Sequence, residues 1–507
     1  MLFDIEVTNR TRSSHPKKLE ARQIIGWILG PTSIIATFLL APPTNLDPLG
    51  WRTTGVAIWM AVWWICEPVP IAATALLPMV LFPVLGLGTI QETCEPYAHP
   101  LIFLFLGGFL IALGMQKWHL HRRLALFLIG ILGVRPKRVI AGFLFAGAMI
   151  SMWVSNTATA MMMLPIALSV ASLTPKGTDN EPNSFGPALM LAVAYGATAG
   201  GMGTLIGTPP NALLAGYLDQ VHGFQIGFAQ WMSIGVPVVI LTLPVIYLTL
   251  TRWVFRLPEQ ELPGMQDLLQ KAREDQGPIS RGEWAVGGVF ALTAIAWMCR
   301  PVLARWIPMI SDTTIAMTGA LTLFMVPVCR KKGAFAMDWK ATKTLPWGVL
   351  LLFGGGLSLA GMIQKQGVSH YLGQWADRMS GWPIWMLVAG ICLGVLLLTE
   401  LTSNTGTAAT FLPIIGAIAI SLGENPLLLL IPTALAANCS FMMPVGTPPN
   451  AIVFASGQLT LPQMARAGWL LNLLLVPLVV AVVWFLGPWV FGIQTGVLPD
   501  WVAPAMP

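Results

Sequence analysis

The tripeptide Ser-Asn-Thr stands at 155–157, in SNTATAMMMLPI, and again at 403–405, in SNTGTAATFLPI. Each copy is followed by a Gly-Thr-Pro-Pro-Asn piece, GTLIGTPPNALLAG from Gly203 to Gly216 and MMPVGTPPNAIVFASG from Met442 to Gly457. What these residues offer is hydroxyls, carboxamides and backbone groups released where proline interrupts a helix. Carbonyl and Asn oxygens suit a hard cation such as sodium. N–H groups at the start of a half-helix carry partial positive charge and suit an anion. No Lys or Arg lies between Arg138 and Lys176, between Lys176 and Arg252, or between Arg378 and Arg466, the intervals that hold every copy of both motifs. An anion bound there meets no cationic side chain from the motifs. Each half can therefore build a small cation site, with the anion held between the two. Bound cations would supply the charge that arginine usually gives, so that in a low-dielectric pocket anion binding depends on cation binding.

A lone Ser-Asn-Thr is ordinarily a helix N-cap, and a lone Pro-Pro-Asn a loop turn. The repetition argues otherwise. A weaker pair, LFLGGFLIALGMQ from Leu104 and LLFGGGLSLAGMI from Leu351, precedes the other two, so three landmarks recur in one order and imply duplication. The segment leading into the first triplet, Lys117 to Arg138, is strongly basic, whereas its counterpart from Lys365 to Arg378 is only weakly so. The halves are thus expected to enter the membrane from opposite sides, as inverted repeats with binding at their interface. Each triplet lies between two apolar arms, with Pro165 and Pro413 each ten residues after the serine, which predicts a re-entrant helical hairpin in each half. Each Gly-Thr-Pro-Pro-Asn piece should break a helix, because proline lacks an N–H and the residue before it avoids the helical region. Irregular backbone at membrane depth is tolerated only when buried in protein or lining a cavity.

The whole chain agrees with a membrane setting. Of its 507 residues 55% are hydrophobic and only 10% charged, with a mean hydropathy of +0.71, against about 25% charged in a soluble domain. Apolar runs near 24–41, 54–66, 70–88, 101–116, 139–154, 233–251, 284–299, 312–328, 383–398 and 468–491 give an all-α polytopic protein with about eleven spans. The basic N-terminal segment, 1–23, is expected in the cytoplasm and the tail 493–507, without Lys or Arg, outside. Between them lie scaffold helices over 24–138, a first transport half over 139–256, a linker with further scaffold helices over 257–378, and a second transport half over 379–492.

The net charge of +6 sits in short loops, as the positive-inside effect requires, and gives no reason to expect nucleic acid. Six scattered cysteines show no zinc spacing, and His119 and His121 lie in an interfacial basic segment. An intramembrane enzyme would need an activated nucleophile, yet no histidine lies near either triplet and Asp is absent from both hairpins. An anion channel would have no use for a duplicated cation-ligand set. Glu400, three residues before Ser403, is the one acidic residue near a triplet; it could tune the second cation site, carry a proton, or accept hydrogen bonds from backbone. Asn438-Cys439-Ser440 matches a glycosylation sequon but directly precedes the second break, where glycosylation is not expected.

Both triplets, both breaks and the stretch WMAVWWICEPVPIAATALLP from Trp59 resemble the divalent anion:sodium symporter family, over roughly residues 24 to 490. The resemblance implies a first sodium site from Ser151, Ser155, Asn156 and Gly207, and a second from Thr399, Ser403, Asn404 and Gly446, with a third ion open. It implies substrate contacts from Asn156, Thr157 and Thr208 in one half, and from Asn404, Thr405, Thr447 and Pro448 in the other. It also implies a homodimer in the bacterial inner membrane, with scaffold and transport domains working as an elevator. The cargo expected is a C4 dicarboxylate such as succinate; sodium-independent exchange of dicarboxylate or citrate, and sulfate symport, are the alternatives. Related exchangers would need a fixed cation near the triplets, where this chain has Ala158, Thr159, Gly406 and Thr407.

Overall fold

The computed structural model describes residues 20–174, 184–329, 333–376 and 381–502. Most of the N-terminal segment and the end of the C-terminal tail, whose sidedness the sequence analysis addressed, lie outside the described residues, as does Lys176.

Among the described residues regular structure is helical except for one ribbon, in which Pro327–Cys329 pairs antiparallel with Ala334–Phe335. That ribbon corrects the purely helical expectation. The Asp312–Met325 helix stops where Val326, held extended at φ −77° and ψ 114°, precedes Pro327. Among the described residues five helices are long and apolar enough to cross a membrane: Ile90–Lys117, Phe228–Val254, Trp347–Lys365, Asn404–Ser421 and Leu461–Phe491. The other apolar runs fall on helices of similar length that are less apolar, such as Ala21–Leu39, Pro48–Cys66 and Arg281–Met298, on shorter helices, or on pairs of them. The run at 70–88, for example, is divided between Ile71–Thr74 and Leu77–Val84.

Each triplet joins two helices through a short turn. The first hairpin comprises Pro136–Ser151 and Asn156–Ala171; the second comprises Ile384–Thr399 and Asn404–Ser421. Each Gly-Thr-Pro-Pro-Asn piece interrupts a helix, Phe185–Gly201 resuming as Pro209–His222 and Pro426–Asn438 resuming as Pro448–Phe454. Both resumptions start on proline, whose missing N–H costs nothing in a first turn.

Packing then crosses the halves. The resumed helix Pro448–Phe454 lies against Asn156–Ala171 of the first hairpin, and Pro209–His222 lies against Asn404–Ser421 of the second. Within the first half, close backbone approach packs Phe185–Gly201 onto Pro136–Ser151: a Cβ on Gly196 would stand 2.6 Å from the Leu144 carbonyl oxygen, and one on Gly200, a turn later, would meet the Ala148 backbone. Small residues four apart let apolar helices touch where burial from lipid gives no hydrophobic drive.

Two amphipathic segments lie side by side, Leu120–Leu132 and Met265–Glu274. Arg123 joins the first to the chain after the second. Its guanidinium donates to the Gly277 carbonyl at 3.1 Å and to Glu283 Oε1 at 2.6 Å.

Candidate functional site

Ser151 ends one arm of the first hairpin and is fully buried; Asn156 starts the other. The Ser151 hydroxyl donates to Asn156 Oδ1 at 2.6 Å. Five residues apart in the second hairpin, the Thr399 hydroxyl donates to Asn404 Oδ1 at 2.7 Å and lies 2.9 Å from the Ala437 carbonyl oxygen. Each turn therefore brings a hydroxyl and a carboxamide oxygen to one point. Ser155 caps its helix by accepting from the Ala158 N–H at 3.4 Å, while Ser403 holds the same position without a capping bond. Residues 155–157 and 403–405 are all half-buried, Thr157 and Thr405 included.

The breaks lie against these tips. A Cβ on Gly207 would run into the Gly201 carbonyl, and one on Gly201 would meet Asn156 Oδ1 at 2.6 Å, so Asn156, Gly201 and Gly207 form a contiguous stack. In the other half a Cβ on Gly446 would collide with Ser440 Oγ and meet the Glu400 carbonyl oxygen at 3.2 Å. Thr208 and Thr447 are buried at the N-caps of the resumed helices, and Pro448 is exposed. These donors are hydroxyl, carboxamide and carbonyl oxygens, a hard and neutral set that fits sodium.

What holds the breaks open is a set of residues that the sequence did not mark. The last Asn of each motif ties the broken backbone together. Asn211 Nδ2 donates to the carbonyls of Thr204 at 2.8 Å and Gly201 at 3.2 Å; Asn450 Nδ2 donates to those of Met443 at 3.0 Å and Ser440 at 3.1 Å. Superposing the two motifs pairs Thr204 with Met443 and Gly201 with Ser440, so both asparagines do the same work. Their repetition in the motif was the available signal. Each break is also tied from a neighbouring helix, Trp231 Nε1 on Phe228–Leu248 donating to the Met202 carbonyl at 3.1 Å and Tyr195 Oη on Phe185–Gly201 donating to the Phe441 carbonyl at 2.7 Å, and is shouldered by a long one, Phe228–Leu248 or Leu461–Phe491. Gly235 and Gly468 allow the approach, since a Cβ on Gly235 would stand 2.6 Å from the Met202 carbonyl oxygen, and one on Gly468 would lie 2.5 Å from Met442 Cα.

Glu400 is 3% exposed and faces hydrogen-bond donors. Oε1 accepts from the N–H groups of Phe441 at 2.8 Å and Met442 at 3.0 Å and from Asn472 Nδ2 at 2.7 Å; Oε2 accepts from Met442 and Met443 N–H at 3.0 and 3.1 Å and from Ser440 Oγ at 3.2 Å. Five donors, with the Met442 N–H shared between the two oxygens, occupy the whole carboxylate, so the geometry clamps the second break to the second tip. The corresponding place in the first hairpin is Met152, which makes the two halves electrostatically unequal.

Comparison with known proteins follows the same lines. Sodium-dependent dicarboxylate transporter SdcS of Staphylococcus saprophyticus subsp. saprophyticus is 43% identical over 487 residues, 94% of each chain. The protein of the same name from Staphylococcus aureus strain USA300 is 40% identical over 493 residues, 96% of this chain and 95% of that one. Two solved structures share the fold at 13% identity. One, Neisseria gonorrhoeae MtrF, is described with a class of antimetabolite efflux pumps and superposes with a TM-score of 0.56 over 92% of this chain and 96% of its own. The Alcanivorax borkumensis YdaH transporter, reported for its unusual topology, gives 0.57 over 92% and 99%. The sodium:sulfate symporter transmembrane region matches residues 24–493, both hairpins and both breaks included, and the chain belongs to that family of membrane transporters.

Proposed function

We propose that this protein is a secondary active transporter that couples sodium entry to uptake of a dicarboxylate, with a C4 acid such as succinate as its cargo. The observation that carries the reading is the pair of converging oxygen sets, Ser151 with Asn156 and Thr399 with Asn404, in intervals without Lys or Arg. The names of the staphylococcal relatives support it. On this reading the first set, with Ser155 and Gly207, and the second, with Ser403 and Gly446, each take a sodium ion. Thr157, Thr405, Thr447 and Pro448, together with the two asparagines, frame the anion, and Thr208 stands beside Gly207 at the edge of the first cation set. Two sodium ions neutralise a dianion, and attraction between unlike charges in a low-dielectric space binds cargo and co-ion together.

The same reading assigns the wider architecture. Two inverted repeats with about eleven spans, each with a re-entrant hairpin and a broken helix, would place residues 139–256 and 379–492 in a transport domain. That domain would move as an elevator against scaffold helices from 24–138 and 257–378, in a homodimer of the bacterial inner membrane with the N-terminus inside and the C-terminus outside. The crossed packing of each resumed helix on the opposite hairpin supports treating the two halves as one moving body.

The test is uptake of radiolabelled succinate into proteoliposomes under an inward sodium gradient, with potassium or choline as replacement and with internal succinate absent or present. Uptake that needs sodium and no internal succinate is expected. Sodium-independent uptake that needs internal succinate would mean exchange and would overturn the coupling argument.

A further inference from the structure

Asn438 closes a hydrogen-bond chain that joins the two halves, and the direction of that chain is fixed by its far end. Asn211 Nδ2 faces the carbonyls of Gly201, Met202 and Thr204, which only accept, so Asn211 must present Oδ1 to its other neighbour. That neighbour is Asn438 Nδ2, at 3.0 Å, which also donates to the Ala434 carbonyl at 3.0 Å. Asn438 therefore turns Oδ1 towards Thr208, 2.8 Å away, and Thr208 Oγ1 has to donate to it. All three side chains are buried, at 0, 1 and 4% exposure for Asn211, Asn438 and Thr208, so bulk water offers no alternative partner.

Thr208 has thereby spent its proton and keeps only lone pairs for anything bound beside it. Its counterpart differs: Thr447 Oγ1 accepts from the Asn450 N–H at 3.4 Å. The Thr447 proton remains available for a carboxylate. Aligning the motifs puts Ala199 where the second half has Asn438, so the matching position has no polar side chain to offer Thr447. A carboxylate oxygen set against the lone pairs of Thr208 would be repelled, whereas a cation between them would be bound by both. Thr208 also directly follows Gly207, which stacks through Gly201 on the Asn156 carboxamide. On the other side, the carbonyl of Ala437, next to Asn438, lies 2.9 Å from the Thr399 hydroxyl of the second site.

We propose that Asn438 is a positioning residue that turns Thr208 into a lone-pair donor for the sodium ion of the first site, so that one helix end in the second half sets the affinity of a cation site in the first. This rests on the sodium-coupled reading. Thr208 then reaches the anion through the cation, and Thr447 reaches it through its own proton.

The test uses the full chain, wild type and with Thr208→Val, Thr208→Ser, Asn438→Ala and the Thr208→Val/Asn438→Ala pair. Two constants are read from succinate uptake: half-saturating sodium at saturating succinate, and the KM for succinate at saturating sodium. Where a variant is too slow to assay, the sodium concentration that half-saturates thermal stabilisation in detergent, with potassium chloride as control, gives the first constant without transport. Thr208→Val and Asn438→Ala should each raise half-saturating sodium, Thr208→Val by roughly tenfold, as expected when a cation ligand or its partner is lost. Thr208→Ser should stay near wild type. The succinate KM should move little, and Asn438→Ala should add no further sodium shift once Thr208 is valine, because the two act as a unit. A raised succinate KM with unchanged sodium dependence in Thr208→Val would make Thr208 a carboxylate donor and overturn the proposal. So would a full, additive sodium shift from Asn438→Ala in the valine background. Loss of sodium dependence in the wild type would instead remove the proposed function itself, and is seen before any substitution is made.

Discussion

The Thr399 hydroxyl and the Asn404 carboxamide oxygen lie 2.7 Å apart across the turn of the second hairpin, and Ser151 and Asn156 repeat the relationship at 2.6 Å in the first. Asn156→Ala and Asn404→Ala each remove an oxygen shared by cation and anion binding. Sodium-driven succinate uptake should fall to background in both while the protein remains in the membrane. Thr399→Val and Ser151→Ala take only the hydroxyl, and should raise half-saturating sodium by about tenfold or more. Normal uptake in both Asn variants would remove these sites from the mechanism.

Glu400→Gln should cost stability as well as transport. The substitution keeps the shape but turns an NH₂ group towards buried donors, so that the N–H groups of residues 441–443 lose part of their acceptor. Hydrogen bonds to a charged group contribute about 1.5–3 kcal/mol each, and the thermal unfolding transition in detergent should drop clearly. Asn472→Ala, which removes one of the five donors, should drop it less. A Glu400→Gln protein as stable as wild type would show that the clamp does not hold the break.

Gly468→Ala and Gly235→Ala should impair uptake although neither residue offers a ligand atom. A methyl group at either place meets backbone of a break, and such overpacking costs about 1–3 kcal/mol. Gly288→Ala is the control, because a Cβ there has open space around it. Uptake should persist in the control and decline in the other two at equal expression.

Asp338 gives a pH-dependent contribution outside the membrane-spanning part. Lys117 Nζ donates to its carboxylate at 2.6 Å and holds its pKa below the ordinary value. A carboxylate with a depressed folded-state pKa stabilises above its unfolded value, near pH ~3.9, and the contribution fades as pH falls through the folded value. With a half-exposed carboxylate the pair contributes no more than about 1 kcal/mol. Asp338→Asn should therefore lower the unfolding midpoint slightly at pH 7, less in high salt, and converge with wild type in strong acid.

The helix breaks were legible in the sequence because proline acts locally: Pro209 and Pro448 restart helices wherever the rest of the chain places them. Ser151 and Thr399 came into view only through family resemblance, since a hydroxyl at the end of an apolar helix has no local signature. Asn472 and Tyr195 were illegible because each is one polar side chain in a long apolar run whose partner lies 72 or 246 residues away. Asn438 was visible only as a sequon match, and its bonds to Thr208 and Asn211 depend on how the halves cross. The strand pair at 327–335 escaped an apolar-run reading that extended the preceding helix to residue 328.

The Glu400 clamp also has a consequence for assembly in the bilayer. Its backbone donors are translated about 40 residues after it and Asn472 comes 72 residues after it, within the Leu461–Phe491 helix. Until those segments emerge, the second hairpin carries, just past the end of the Ile384–Thr399 helix, a carboxylate that lacks its partners, and an unpartnered acidic side chain is costly to hold within a bilayer. The second hairpin therefore gains by waiting at the membrane surface. It becomes fully stable in the lipid only after the Leu461–Phe491 helix has been made.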